Sequence, residues 1–305
     1  MRKWLMLLLV APVLILAGCG GDSTPSDNTP GANCETGTTS VCKCIDLKLG
    51  TTICNENHEW GPCVCNPDAG GGGDTCGDGG PPLEPYTTDN NTVVLWHMDD
   101  TGNTLTDSSG HGYNAEINGP KTGVQGRIGK GLQFDGVNDM ILVSGFDTQG
   151  DAGTVDGGIT GAFDTLTIEC WVSTTATHSG VLLDRDEDGT VSEVWQVGLG
   201  GGKFPYFATE VNQVEDWLQS STPINDGCFH HLAFTRDETS GQKKIYIDGK
   251  LDTTGEDNGG PVSNGKGIGI GNTRRVDLAD QFFEGILDEI RLSNKIRDVS
   301  EFHLP

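Results

Sequence analysis

Basic residues are scarce in this sequence. Its 305 residues include 19 Lys and Arg against 44 Asp and Glu, which gives a formal net charge of −25. A negative charge of this size repels the phosphates of nucleic acids and the headgroups of anionic lipids. We therefore expect that the protein has no nucleic-acid partner.

Motifs of known catalytic sites are also lacking. The sequence contains no Gly-x-Ser-x-Gly nucleophile turn, no His-Glu-x-x-His metal motif and no phosphate-binding loop. It also lacks the Glu-x-Asp-x-x-Glu spacing that would place two carboxylates on opposite sides of a glycosidic bond. We predict that the protein is not an enzyme.

Long hydrophobic runs are confined to the N-terminus, where two basic residues precede the apolar residues 4–16. This run is too short to span a bilayer comfortably and predicts a signal peptide over residues 1–18. Its end, Leu16-Ala17-Gly18-Cys19, resembles the bacterial lipobox, which implies that Cys19 becomes a lipidated N-terminus. We expect a lipid-anchored protein of the bacterial cell envelope, at the outer membrane or the cell surface. The alternative is an ordinary signal peptide with an incidental cysteine.

Two segments are too poor in apolar residues to fold. Residues 19–33 predict a flexible tether, and the Gly- and Pro-rich residues 67–91 predict a linker. Between them, residues 34–66 hold six cysteines but few large apolar groups, so this small module needs covalent support. We predict three disulfides, each worth about 2–4 kcal/mol. A zinc site formed by the two Cys-x-Cys pairs is the alternative.

Residues 92–305 show the alternation of β-strands. Short apolar or alternating runs are bounded by Gly, Asn and Asp, as at 93–96, 140–143, 166–172 and 244–247. No window of a dozen residues shows convincing helical spacing; residues 211–218 come nearest. The pattern predicts an all-β domain, an antiparallel two-sheet jelly-roll sandwich, preceded by the small disulfide-rich module and the flexible linkers.

Cys170 and Cys228 are the only cysteines within residues 92–305. Two such cysteines in an oxidising compartment pair if their Cα atoms lie within about 7 Å. We therefore predict a Cys170–Cys228 disulfide. The alternative leaves Cys170 as a buried thiol and joins Cys228 to Cys76.

Seven segments in order resemble laminin-G-like (concanavalin A-like) jelly-roll domains. They are residues 95–99, 107–112, 131–139, 166–172, 229–233, 245–250 and 285–291. The resemblance implies a structural Ca²⁺ shared by the first and last strands, with Asp288 as its side-chain ligand and Asp99 and Asp107 as further contributors. The acidic composition suits this ion, which takes six to eight oxygen ligands.

The predicted domain also offers candidate ligand-binding residues. Trp217, Tyr206 and the pair Arg274-Arg275 lie in loop-like stretches, where aromatic faces and planar polar groups could form a sugar site. We therefore predict a lectin-like binding protein for glycans or for envelope or extracellular proteins. The alternatives are an envelope protein that binds no small ligand and an accessory domain of a glycan-degrading system.

Overall fold

The computed structural model describes residues 36, 39–43, 49–58, 83–144, 164–185, 194–262, 267–273 and 281–304. The chain divides into two compact units, Met1–Gly73 and Asp74–Pro305. Within the described ranges, no helix is both long and apolar enough to cross a membrane.

The first unit contains a β-hairpin. Strands β1 (Thr39–Lys43) and β2 (Leu49–Ile53) pair antiparallel, with Cys42 opposite Gly50. Cys54 follows β2, is buried and is disulfide-bonded. The pairing of the six cysteines between residues 34 and 66 stays a prediction.

The described part of the second unit is built from strands, with one 3-10 turn near the C-terminus. In chain order the elements are β3 (Thr92–Trp96), β4 (Thr104–Leu105), β5 (Ala115–Glu116), β6 (Lys121–Gln125), β7 (Lys130–Asp135), β8 (Ile141–Ser144), β9 (Leu166–Ser173), β10 (Gly180–Asp184), β11 (Val194–Gly200), β12 (Phe204–Val211), β13 (Val214–Gln219), β14 (Phe229–Arg236), β15 (Gln242–Ile247), β16 (Lys250–Glu256), β17 (Gly267–Ile270), β18 (Glu284–Ser293) and the 3-10 turn Val299–Glu301.

These strands form two sheets. Sheet 1 has the order β13-β12-β11-β10-β17-β8-β5-β4. Sheet 2 has the order β16-β15-β14-β9-β18-β7-β6, and β3 pairs with β18 outside this sequence of neighbours. Every described strand pairing is antiparallel. The predicted all-β, two-sheet architecture is confirmed.

Alternation along the strands builds the core between the sheets. In β17, Ile268 and Ile270 are buried in the same apolar cluster as Phe207 of sheet 1 and Phe234 of sheet 2. Side chains of successive residues point to opposite faces, so every second position reaches this cluster. The turn at Asp248-Gly249, between β15 and β16, has φ values of 50° and 72° and confirms the hairpin expected from this dipeptide.

The outer face of sheet 2 is covered as well. Seven of the eight residues of β9 are buried, although successive side chains point to opposite faces. Segments 83–91 and 294–304 supply the cover: Tyr86 and Phe302 contact the ring of His231. Arg297 joins the two segments, because its guanidinium donates to both carboxylate oxygens of Asp89 at 2.8 and 2.9 Å.

The predicted Cys170–Cys228 disulfide is wrong. Cys170 is a free, buried thiol on β9, and its Cα partner on β14 is Leu232. Cys228 precedes β14 and so lies four residues from Leu232, a distance of roughly 13 Å along a strand, against the 7 Å or so that a disulfide allows. Burial raises the pKa of the Cys170 thiol, which makes it unreactive. Cys228 is disulfide-bonded, and Cys76, its partner in the alternative pairing, lies outside the described residues.

Candidate functional site

The two aromatic residues predicted for ligand binding lie on strands, not in loops. Tyr206 belongs to β12 and Trp217 to the edge strand β13 of sheet 1. The apolar spacing over residues 211–218 that resembled a short helix belongs to the β12–β13 hairpin, whose turn residues Asn212 and Gln213 have φ values of 52° and 64°. The sequence cue for this turn is Asn212, since Asn tolerates positive φ in tight hairpin turns.

Register brings Tyr206 and Trp217 together on the outer face of sheet 1. Trp217 lies opposite Ala208, so Tyr206 is its diagonal neighbour on the same face. The ring centroids are 4.9 Å apart with an interplanar angle of 41°. Trp217 remains 53% exposed, whereas Tyr206 is only 4% exposed. The buried ring therefore supports an indole that half faces solvent.

Polar contacts fix the supporting ring. The Tyr206 hydroxyl donates to Oε1 of Gln196 on β11 at 2.7 Å. Burial raises the pKa of Tyr206, and the Asp184 carboxylate adds to the rise, so the hydroxyl stays neutral. Gly198 makes room for the ring, because a Cβ atom at this position would lie 2.6 Å from the Tyr206 hydroxyl oxygen.

Gln196 is a site residue that the sequence predictions missed. In β11 the side chains of Trp195, Val197 and Leu199 point into the core, so Gln196 between them faces outward. The alternation of inward and outward side chains along β11 is the sequence feature that could have predicted the outward position of Gln196. Arg274 and Arg275, the other predicted ligand-binding residues, lie outside the described residues.

The predicted calcium ligand Asp288 is fully buried on β18. Its Oδ2 atom accepts a hydrogen bond from the Ile128 backbone at 2.7 Å, whereas Oδ1 is buried without a hydrogen-bond partner. Burial raises the pKa of this carboxyl group to about 8, and the charges of Glu289 and Asp99 contribute. A buried carboxylate oxygen without a donor, next to other negative charges, suits a cation.

Asp99 binds the same loop as Asp288. Its Oδ1 atom accepts a hydrogen bond from the Lys130 backbone at 2.5 Å, two residues beyond the contact that Ile128 makes with Asp288. Gly126 keeps this loop close, since a Cβ atom there would lie 2.3 Å from the Lys130 carbonyl oxygen and 2.6 Å from Asp288 Oδ2. The carboxylates of Asp288 and Asp99 therefore both bind the loop of residues 126–130, and the Lys130 carbonyl oxygen lies in the same loop.

Asp107 has a different environment. Its Oδ1 atom accepts hydrogen bonds from the backbone of Leu95 at 3.2 Å and Ser109 at 2.9 Å, and its Oδ2 atom accepts from the Ser109 hydroxyl at 2.7 Å and the Tyr113 backbone at 3.0 Å. Four protein donors satisfy this carboxylate, which holds the loop after β4. Within the described ranges, no three His, Cys, Asp or Glu side chains are grouped to hold a metal ion. A cation near Asp288 would need backbone carbonyl ligands as well.

The sequence predictions also missed a buried ionic cluster, which lies beneath the covering segments 83–91 and 294–304. Glu169 on β9 is fully buried, and its Oε2 atom accepts from Nε and Nη2 of Arg291 at 2.9 and 2.6 Å. The Arg291 guanidinium lies 4.9 Å from the centre of the Tyr86 ring. The signal was a carboxylate inside the apolar run 166–172, since a buried charge requires a partner.

A comparison of the sequence with known protein families agrees with the two-sheet sandwich. The family model of the concanavalin A-like lectin/glucanases superfamily matches residues 147–302, just over half of the chain. The chain belongs to this superfamily. Its membership confirms the resemblance seen in the sequence segments. No curated protein matches the chain.

Solved structures with a similar fold include binding domains of other proteins. The binding domain of Paraclostridial Mosquitocidal Protein 1 is 17% identical, with a TM-score of 0.53 over 70% of this chain and 51% of that chain. The binding domain of botulinum neurotoxin DC is similar both in complex with rat synaptotagmin II (15% identity, TM-score 0.50) and in complex with SialylT (16% identity, TM-score 0.50), each over 70% of this chain and 50% of that chain. The chain thus spans about half the length of these structures, and at such identities the likeness shows the fold.

Proposed function

We propose that this superfamily member is a binding protein that recognises glycans, or a protein partner, through the outer face of sheet 1 around Trp217. One observation carries the proposal: an indole 53% exposed on an edge strand, supported by a buried tyrosine whose hydroxyl is fixed by Gln196. Aromatic faces with a few fixed polar groups suit both sugar rings and protein hot spots. The similar toxin domains, solved with synaptotagmin II and with SialylT, lend support by analogy of fold. A binding role without catalysis accords with the absence of paired acids at glycosidase spacing.

Replacing Trp217 by Ala tests this proposal. A glycan array probed with the full-length protein identifies the best ligand, whose affinity is then measured for each variant. We expect Trp217→Ala to weaken binding at least about tenfold, since exposed tryptophans at binding sites are typical hot spots. Leu251→Ala is the matched control: Leu251 is also 53% exposed but lies on β16 of sheet 2. Equal affinities for both variants would contradict the proposed site. If the array shows no ligand, the same pair of variants is compared for capture of a protein partner.

We also propose that Cys19 carries a lipid that anchors the protein to the bacterial envelope. The support is the sequence 16–19 after the apolar run. Cys19→Ser is expected to move the protein from the membrane fraction to the soluble or secreted fraction, because only the cysteine sulfur accepts the diacylglycerol. Cys170→Ser is the control, since this thiol is buried in the sandwich. Unchanged membrane association of the Cys19 variant would rule out the lipid anchor.

A structural Ca²⁺ near Asp288 is a further part of the proposed function. Asp288 and Asp99 would hold the ion through carboxylate oxygens, with help from backbone carbonyls of residues 126–130. The buried Asp288 Oδ1 atom without a donor supports this assignment. Asp107 is left out of the ligand set because four protein donors satisfy its carboxylate. The ion would neutralise buried negative charge and fix this loop against β18.

A further inference from the structure

A lysine is buried between the two sheets, directly behind the exposed tryptophan. Lys243 lies on β15 of sheet 2 and is fully buried. Its ammonium group reaches across the sandwich to sheet 1 and lies 5.7 Å from the centre of the Phe207 ring. Burial lowers the pKa of Lys243, because the apolar surroundings disfavour the charged form.

Every hydrogen bond between this ammonium group and the described residues goes to the two strands that carry Tyr206 and Trp217. Lys243 Nζ donates to Thr209 Oγ1 at 3.0 Å and to the Phe207 carbonyl at 3.4 Å, both on β12. It also donates to the Asp216 carbonyl at 3.1 Å and forms an ion pair with Asp216 Oδ1 at 2.5 Å. Asp216 directly precedes Trp217 on β13.

The contact of Lys243 with β13 affects the position of this strand because β13 lies at the edge of sheet 1. Among the described strands, β13 has a single hydrogen-bonded neighbour in sheet 1, which is β12. Phe207 and Thr209 flank Ala208, which is the Cα partner of Trp217. Lys243 therefore holds both strands from the core side at the level where the indole leaves the outer face. An isosteric apolar side chain would fill the same space without desolvating a charge, so stability alone does not account for a lysine here.

We propose that Lys243 is a positioning residue that fixes the edge strand β13 and thereby holds Trp217 against Tyr206. Its role rests on the proposed binding site, because it acts through Trp217 and touches no ligand. Loss of the ammonium group frees Asp216 and lets β13 separate from β12. The indole of Trp217 then has no fixed orientation. A ligand has to order β13 when it binds, and this entropic cost weakens its affinity.

Hydrogen exchange of full-length variants tests this role without any ligand. Lys243→Met removes the ammonium group but keeps an unbranched buried side chain of similar volume. We expect backbone exchange in residues 214–219 to become at least about tenfold faster, because local opening of the edge strand becomes easier. If this variant does not fold, Asp216→Asn takes its place and is expected to accelerate exchange in the same segment. Unchanged exchange of residues 214–219 in the variant that folds would overturn the proposal.

Arg291→Met is the matched control. Arg291 is another buried cation in sheet 2, but it donates to Glu169 at 2.9 and 2.6 Å and to the Glu301 carbonyl at 2.9 Å, and neither residue lies on β12 or β13. We expect it to lower stability while leaving exchange of residues 214–219 within about twofold of the wild type. If both variants accelerate the exchange of residues 214–219 equally, Lys243 only stabilises the fold, and the positioning role is overturned.

The affinity of the array ligand separates the two proposals. Lys243→Met is expected to weaken binding and Arg291→Met to leave it unchanged. If Trp217→Ala binds as tightly as the wild type, the proposed binding site is wrong, while the exchange data still decide whether Lys243 fixes β13. If Trp217→Ala loses binding but Lys243→Met retains full affinity, the binding site stands and the positioning role is overturned.

Discussion

Arg291→Met is expected to lower the free energy of unfolding by about 3–5 kcal/mol, because it leaves a buried carboxylate without its main partner. Glu169 is fully buried, and both short hydrogen bonds to its Oε2 atom come from Arg291. The next cation, Arg297, has its Nε atom 3.8 Å from the same oxygen. For a domain of roughly 200 residues, the loss corresponds to a decrease in melting temperature of about 10 °C, which thermal denaturation measures directly.

The double variant Glu169→Met/Arg291→Met serves as the control for this prediction. Removing both charges leaves neither Glu169 nor Arg291 as an unpaired buried ion, and apolar replacements of buried ion pairs are often neutral. We expect the double variant to recover much of the stability that the single variant loses. A loss below about 1 kcal/mol in the single variant would mean that the cluster behaves like an exposed ion pair, against its burial in the structure.

Removal of calcium is expected to lower the melting temperature of the second unit by about 5–10 °C. A ligand present at a hundredfold excess over its dissociation constant contributes about 2.7 kcal/mol, and one kcal/mol shifts the melting temperature of a domain of this size by about 2–4 °C. The physical reason is the buried Asp288 carboxyl group, whose pKa of about 8 reflects the cost of its charge in the absence of a cation. Melting curves in Ca²⁺ and in EDTA measure the effect.

Two substitutions decide whether this effect arises at Asp288. Asp288→Asn keeps an oxygen to accept the 2.7 Å hydrogen bond from Ile128 but removes the charge, so we expect Ca²⁺ and EDTA to give the same melting curve. Asp107→Asn is expected to destabilise the loop after β4 under both conditions while the calcium response persists, since its partners are protein donors. An EDTA-insensitive wild type, or a calcium response retained by Asp288→Asn, would exclude this site.

The fold was predictable because local signals agreed with one another. Alternation in runs such as 166–172 and turn dipeptides such as Asp248-Gly249 predict the strands and their antiparallel pairing. The Cys170–Cys228 pairing failed because proximity of two cysteines depends on strand register. Register places Cys170 opposite Leu232, and composition carries no information about that offset.

The candidate site was predictable only in part. Exposure of Trp217 and its contact with Tyr206 depend on the pairing of β12 with β13, and the residues of 211–218 did not identify that hairpin, although their spacing was not convincingly helical either. Contacts between the sheets, such as that of Lys243 with Asp216, join residues far apart in sequence. Alternation identifies which residues of a strand share a face, but it does not identify the residue that they meet on the facing sheet.

Hydroxyl-radical footprinting of the full-length protein, with and without the best-binding glycan of the array, tests the central claim most directly. Trp217 is 53% exposed in the free protein, so it is open to oxidation, and Leu251, equally exposed on sheet 2, reports on non-specific protection. The proposed site predicts that the ligand protects Trp217 and leaves the oxidation of Leu251 unchanged. Oxidation of Trp217 at the same rate in the bound and free protein would contradict it.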